Sequence, residues 1–329
     1  MHSRTKAKVT DEQLLAMLNL AGLDDYTKVI ELSGGEFNLT FKIITEEGNF
    51  IMKVGPAADT VTLTYEQGIM DVELWAYNQI QCHTDIPVPK IIYQGREVIG
   101  NQWFVMTEMK GKLLCDSNLT EAQLYNWHYQ FGRALAQIHD IKGAGFGYQQ
   151  VRLHQTWKEA YYDMVLTLLE DAEKQGNTWP DTGRILRFIR KWEAALDDVE
   201  VPRLVHYDLF SNNVFADDEG NFAGLIDTER CFFGDYYADF FAIDYLGRLE
   251  DNLGLIEGYN ATAAEKIVFT VNARARLALS RLLLGLLMFT EGTTRLALDD
   301  PEHWDRKLLA VTIIDYALNE MAEFEPENR

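Results

Sequence analysis

His206-Tyr207-Asp208-Leu209-Phe210-Ser211-Asn212-Asn213, and fourteen residues beyond it Asp227 within Leu225-Ile226-Asp227-Thr228-Glu229, form the stretch on which the reading of this chain turns. Between them, two short apolar runs flank Asp217-Asp218-Glu219-Gly220, a turn signal that predicts a hairpin and returns Asp227 to the neighbourhood of Asn213. Phosphoryl transfer asks little covalent chemistry of a protein. It needs a group that orients the attacking hydroxyl and cations that hold the phosphates in line. A carboxylate for the hydroxyl, with an Asn and a second carboxylate as oxygen ligands for Mg²⁺, supplies those parts. Asp208 is therefore the candidate base, and Asn213 and Asp227 are the candidate metal ligands. His206 reads as a brace for the loop rather than a reacting group. The HxDxxxxN match alone arises by chance in unrelated chains; the hairpin that ends in a carboxylate makes it specific.

Outward from this segment the chain changes character twice. Residues 11–20 predict a short amphipathic helix capped by Thr10. Residues 29–32, 39–45 and 49–54 are β-rich and separated by Ser33-Gly34-Gly35 and Glu46-Glu47-Gly48, which predicts a meander of hairpins. The spacing of Ile69, Val72, Ala76 and Ile80 predicts a helix over 61–81, and Pro87 and Pro89 force an extended segment after it. Residues 90–93 and 102–106 add a strand pair. After Gly111 long helical patterns dominate, at 119–139, 155–174, 182–196, 263–290 and 304–324. The expected fold class is α+β, with a small antiparallel β-rich lobe and a large, mainly helical one; no internal repeat is evident.

The bulk composition narrows the function classes. The 329 residues exceed a common single domain, and 47% hydrophobic content suffices for a sizeable core. A formal charge of −21 repels phosphate backbones, so nucleic acid is not an expected partner, while a cationic small molecule would be favoured. Acidity of this kind also serves simple solubility. Cys82, Cys115 and Cys231 have neither disulfide-framework nor zinc spacing. No secretory h-region is visible near the N-terminus, and the most apolar stretch, 277–289, contains Arg281 and is too short to span a bilayer. The expected setting is the cytoplasm, with no membrane contact.

The motif VHYDLFSNNVF followed by LIDTERCFFGDYYADF resembles the aminoglycoside phosphotransferase and choline kinase-like family, relatives of the protein kinases. The likeness covers about residues 30 to 245 and implies a bilobal protein kinase-like fold. Residues 1–108 would then be the nucleotide-binding N-lobe. Residues 109–329 would form the C-lobe, with catalytic loop, metal site and acceptor pocket. The resemblance implies ATP and Mg²⁺ as cofactors, Asp208 as base, and Asn213 and Asp227 on the metal. It matches Lys53 to the lysine of the α/β-phosphates, with Glu73 on the next helix as its ion-pair partner. Glu66 competes for that role, and a strand lysine could instead be a solvated edge residue. Ser33, Gly34 and Gly35 would let backbone N–H groups approach the phosphates, although such a pair of glycines is commonly a plain turn. Glu108 and Met109 fall where the family's interlobe hinge meets the adenine. Gly234, Asp235 and Asp239 match a further family pattern. Two departures are Tyr207, where glycine is commoner, and Tyr236, where proline is commoner.

Glu229 and Asp235 could bind a cationic acceptor, or Glu229 could pair with Arg230 or Arg248. Trp157, Tyr161 and Tyr162 have the helical spacing of core aromatics. The sequence favours an active kinase over a catalytically silent nucleotide-binding relative, because Lys53, Asp208, Asn213 and Asp227 are all present. A metallohydrolase would need clustered histidines that the sequence lacks. The acceptor is a small-molecule hydroxyl. An aminoglycoside or amino sugar suits the acidic balance, but fructosamine, choline, homoserine and methylthioribose kinases share the pattern.

Overall fold

The computed structural model describes residues 3–33, 35, 37–177, 179, 181–240, 245–296 and 301–326. Thr10 caps helix α1 (Asp11–Leu20) through a full capping box with Gln13, as its sequence predicts. Strands β1 (Lys28–Leu32), β2 (Leu39–Ile44) and β3 (Asn49–Val54) follow, then helix α2 (Ile69–His83) and strands β4 (Ile91–Gly95) and β5 (Trp103–Thr107). The five strands form one antiparallel sheet in the order β1-β2-β3-β5-β4. Leu39, Phe41 and Ile43 alternate inward along β2 and meet Met17, Leu18, Met52, Trp103 and Val105 in a small core roofed by α1. Because β3 lies between β2 and β5, Lys53 pairs with Thr40 on one side and Phe104 on the other. It is therefore an interior-strand lysine, and the solvated-edge alternative is excluded.

The single helix expected over 61–81 is broken. A 3₁₀ turn (Thr64–Glu66) precedes α2, and Gly68 between them has φ +73°, a left-handed conformation that ends the first segment. Glu66 Oε2 accepts from Leu63 N–H at 2.7 Å, which anchors the separate turn.

The remaining chain is mostly helical. Strand β6 (Lys112–Leu113) leads to helices α3 (Glu121–Ile138), α4 (Trp157–Lys174) and α5 (Thr182–Leu196). Short strands β7 (Arg203–Val205), β8 (Val214–Ala216), β9 (Phe222–Leu225) and β10 (Phe232–Gly234) frame the motif segment, and helices α6 (Leu253–Thr262), α7 (Val271–Arg295) and α8 (Pro301–Asn319) complete the fold. Strand β10 pairs with β7, and β6-β8-β9 form a second small sheet. Helix α7 is buried nearly all round, packing on α4, α5 and α8, which explains an apolar run without amphipathic relief. Trp157 and Tyr161 are core residues, and half-buried Tyr162 bonds Glu193 at 2.7 Å. Helix α6 was not expected from sequence. A Cβ at its Gly254 or Gly258 would meet the backbone carbonyl of Tyr125 or Tyr129 on α3. The glycines serve close helix approach. Among the described residues no helix is long and apolar enough to cross a membrane.

Candidate active site

The motif segment folds as a hairpin. Val214 pairs with Leu225 across β8 and β9, and Ile226 N–H donates to Asn213 O at 2.9 Å, placing Asp227 beside Asn213. The loop before the hairpin is held from beneath by Asp239. Its Oδ2 accepts from His206 N–H at 2.9 Å and its Oδ1 from Tyr207 N–H at 2.7 Å. The buried His139, for which no sequence partner was evident, bonds Asp239 Oδ2 through Nε2 at 3.0 Å and the Tyr259 hydroxyl through Nδ1 at 3.0 Å. His206 spans the loop and hairpin, as expected of a brace. Its Nδ1 accepts from Asp208 N–H at 3.2 Å, so Nε2 carries the proton and donates to Ile226 O at 3.1 Å. Burial lowers its pKa, favouring that neutral form.

Two residues that are not glycine carry strain here. Tyr207 has φ +64° and Asp227 φ +61°. The Tyr207 departure thus keeps the left-handed backbone that glycine would adopt freely. It is held there by a buried ring against Phe232 and a 2.8 Å hydrogen bond from its hydroxyl to Ser280 O.

A cleft of ≈410 Å³ brings together Lys53, Asp208, Asn213, Asp227 and Glu229, with Gly35, Phe37 and Asn38 at one wall. Lys53 Nζ donates to Glu73 Oε1 at 2.6 Å and to Asp227 Oδ1. Glu66, the competitor, instead pairs with Arg295 at 2.7 Å. Burial alone would strip charge from Lys53, but Asp227 and Glu73 hold its pKa well above the usual value. Burial pushes Glu73 up to about 7 against the pull of Lys53. The ammonium faces both carboxylates, and together they outweigh the cost of burying its charge.

Asp208 is also buried, which pushes its pKa up to about 6 while Arg230 pulls it down. Its Oδ1 accepts from Arg230 Nη1 at 2.6 Å, and its Oδ2 and backbone carbonyl accept from Asn213 Nδ2 at 3.1 and 2.7 Å. With the Asn213 amide nitrogen so engaged, Oδ1 is the atom left for a cation. Among the described residues there is no cluster of three or more His, Cys, Asp or Glu side chains fit for a metal. One amide oxygen and the Asp227 carboxylate are a hard, sparse donor set, of the kind Mg²⁺ takes when substrate phosphates complete its shell.

Several expected residues lie elsewhere. Ser33 follows the last residue of β1 without lining the cleft, and Gly34 lies outside the described residues. Glu108 bonds Asn49 and Lys42, each at 2.7 Å, and its N–H donates to Asn49 O at 3.0 Å. Met109 packs over Gly224, where a Cβ would meet its Cε at 2.3 Å. Asp235 must be corrected as an acceptor-binding residue. It is 1% exposed, both oxygens are gripped by Arg276 at 2.7 and 2.5 Å, and it is absent from the cleft wall. Glu229 does line the cleft, but its expected arginine partners must also be corrected. Arg230 turns to Asp208 and Glu291, Arg248 lies 3.7 Å from Glu250, and Glu229 Oε2 accepts from Asn38 Nδ2 at 3.1 Å. Burial pushes Glu229 up to about 7, opposed by Lys53.

The opposite wall was not legible as a site in the sequence. Phe210, Tyr245, Met288 and Leu309 give it an apolar face, and Arg230, Glu291, Arg295 and Arg306 give it charge. Glu291 and Arg295, just beyond the apolar 277–289 stretch, were the available signal, since buried charges are retained only with partners.

A five-stranded sheet beside a helical region, with lysine, loop aspartate, asparagine and hairpin aspartate on one cleft, defines a kinase-like small-molecule phosphotransferase. The profile of the APH phosphotransferase enzyme family matches residues 28–277, and the chain belongs to that family. It is a small-molecule kinase that transfers phosphate to a hydroxyl. A probable ketoamine kinase of Lactiplantibacillus plantarum is 27% identical over 222 residues, 66% of this chain and 74% of the relative. A second, from Enterococcus faecium, is 24% identical over 198 residues, 59% of this chain and 67% of the relative. Among solved structures, a thermostable mutant of the aminoglycoside phosphotransferase APH(4)-Ia in complex with ADP and hygromycin B has TM-score 0.66 at 18% identity. That match covers 94% of this chain and 98% of the other.

Proposed function

We propose that this chain transfers the γ-phosphate of ATP to a hydroxyl of a ketoamine, an amine-bearing sugar adduct, with Asp208 as base. In the proposed reaction the acceptor oxygen forms a bond to the γ-phosphorus, and the bond to the β,γ-bridging oxygen breaks. ADP leaves, and the acceptor proton passes to Asp208. Lys53, steadied by Glu73, meets the α/β-phosphates, and Gly35 lets backbone approach them. The carbonyl of Glu108 and the backbone of Met109 remain for the adenine edge, since the Glu108 N–H is already donated. Asn213 and Asp227 would hold Mg²⁺, which supplies charge neutralisation for the phosphates. Residues 1–108 and 109–329 are the two lobes in this reading, with the cleft between them.

The observation that carries the reading is the convergence of Lys53, Asp208, Asn213 and Asp227 on one cleft. The ketoamine acceptor is favoured by two relatives of that description, matched over 59% and 66% of this chain. The likeness to aminoglycoside phosphotransferases, at 18% identity, speaks for the fold. The test is a hydroxyl-compound panel with Mg²⁺ and ATP, following ADP release by the intact chain and by Asp208→Asn. Asp208-dependent turnover of a fructosamine above that of aminoglycosides supports the reading; turnover of aminoglycosides alone rejects the ketoamine.

A further inference from the structure

Asp208 is held at both ends of its carboxylate. Asn213 takes Oδ2 at 3.1 Å, and Arg230 takes Oδ1 at 2.6 Å from a position that is 8% exposed. The second Arg230 nitrogen donates to Glu291 Oε2 at 2.6 Å. Glu291 Oε1 in turn accepts from Arg295 Nη2 at 2.9 Å and from the Tyr65 hydroxyl, and Arg295 Nη2 reaches Glu66 Oε1 at 2.7 Å. An alternating row, Asp208–Arg230–Glu291–Arg295–Glu66, thus runs from the candidate base through α7 to the 3₁₀ turn ahead of α2. Four of its members, Asp208, Arg230, Glu291 and Arg295, line the cleft itself.

We propose that Arg230 is a positioning residue for the phosphoryl transfer, acting through Asp208 and kept in place by Glu291. This rests on the reading of Asp208 as base. A carboxylate that must accept a proton in flight has to present one oxygen at a fixed place beside the acceptor hydroxyl, and small misplacements are costly in rate. A single amide contact leaves a carboxylate free to turn about its χ2 torsion. A guanidinium on the other oxygen fixes the plane, because its planar fork has a set direction that an ammonium lacks. Arg230 is itself fixed because its fork spans Asp208 and Glu291 at once. Burial works against its charge, but those two carboxylates outweigh it. The row ends on side chains that also hold the segment before α2, so the base is tied to the helix that carries Glu73.

The test compares wild type, Arg230→Ala, Arg230→Lys and Glu291→Gln, each also in an Asp208→Asn background. Steady-state kinetics are run with Mg-ATP and the best acceptor, and circular dichroism checks folding. The expected result is a kcat drop of about 10- to 100-fold for Arg230→Ala with KM for ATP within about twofold of wild type. Arg230→Lys recovers part of it, Glu291→Gln gives a smaller drop, and added guanidinium restores rate to Arg230→Ala. In the Asp208→Asn background Arg230→Ala has no further effect on kcat, because residues acting as a unit are not additive. An equal loss in both backgrounds, or a folded Arg230→Ala with unchanged kcat, overturns the proposal. If Arg230→Ala does not fold, the Arg230→Lys and Glu291→Gln pairs decide by the same criterion. Equal rates for wild type and Asp208→Asn would instead reject Asp208 as base, a failure of the parent reading that shows without any Arg230 variant.

Discussion

Lys53 and Glu73, twenty residues apart in sequence and on different elements, meet at 2.6 Å in a buried pair, with Lys53 also against Asp227. The contact joins the interior strand β3 to α2, and through Asp227 to the hairpin that carries the candidate metal ligands. Substituting Glu73 by Gln removes one of the two carboxylate charges that Lys53 bonds directly and leaves Asp227 as the other, so the lysine should be drawn toward the metal position. The expected outcome is a KM for ATP raised about 10-fold, measured by ADP-release kinetics. Replacing Lys53 by Ala strands a buried carboxylate and should also cost about 3–5 kcal/mol of stability, read from urea unfolding.

The acidic side of the pH profile follows from Asp208. Burial pushes its pKa up to about 6, and only the ionised form can accept the acceptor proton. Activity should therefore fall as pH drops through about 6, with unit slope, and level off above it. Asp208→Asn should lower the plateau by about 10²–10⁴-fold and abolish that limb in a kcat/KM profile.

Tyr207 gives a stability prediction. Its left-handed backbone costs about 1–2 kcal/mol, offset by a buried ring and the Ser280 hydrogen bond. Tyr207→Phe should lose about 1 kcal/mol for the missing bond, plus the cost of leaving the Ser280 carbonyl without it. Tyr207→Gly removes the ring and should lose about 2–4 kcal/mol even though the strain is relieved. Chemical denaturation of the two variants checks the order; a Tyr207→Gly protein more stable than Tyr207→Phe would contradict it.

Asp235 should behave as a structural residue. With both oxygens on Arg276, Asp235→Ala leaves a buried guanidinium unpaired and should destabilise by about 3–5 kcal/mol. KM for the acceptor should stay within about twofold in the fraction that folds, measured by acceptor titration at low temperature.

The convergence of Lys53, Asp208, Asn213 and Asp227 was readable in sequence because those residues sit on short-range devices. Thr10 caps α1, the turn at 217–220 closes the β8–β9 hairpin, and the strand run at 49–54 positions Lys53. Each depends on residues within about ten positions. The opposite wall of the cleft was unreadable because it depends on long-range packing. Glu291 reaches Tyr65 and Arg230 across 226 and 61 positions, and no local pattern records that. The same cause explains α6, whose glycines make sense only once α3 lies against them. Gly68 broke the expected helix because one left-handed residue outweighs a periodic apolar pattern. Asp235 and Glu229 look alike as acidic residues near the motif; Arg276, forty-one positions beyond Asp235, separates their fates.

In the proposed reaction Asp208 is the base of an ATP-dependent transfer to a ketoamine hydroxyl. The most direct measurement is ³¹P NMR of a reaction containing the chain, Mg-ATP and a fructosamine, run beside the Asp208→Asn variant. The expected result is a new phosphomonoester resonance growing in step with ADP, slowed by about 10²–10⁴-fold in the variant. Inorganic phosphate as the only new signal, or a phosphomonoester formed equally fast by Asp208→Asn, would contradict it.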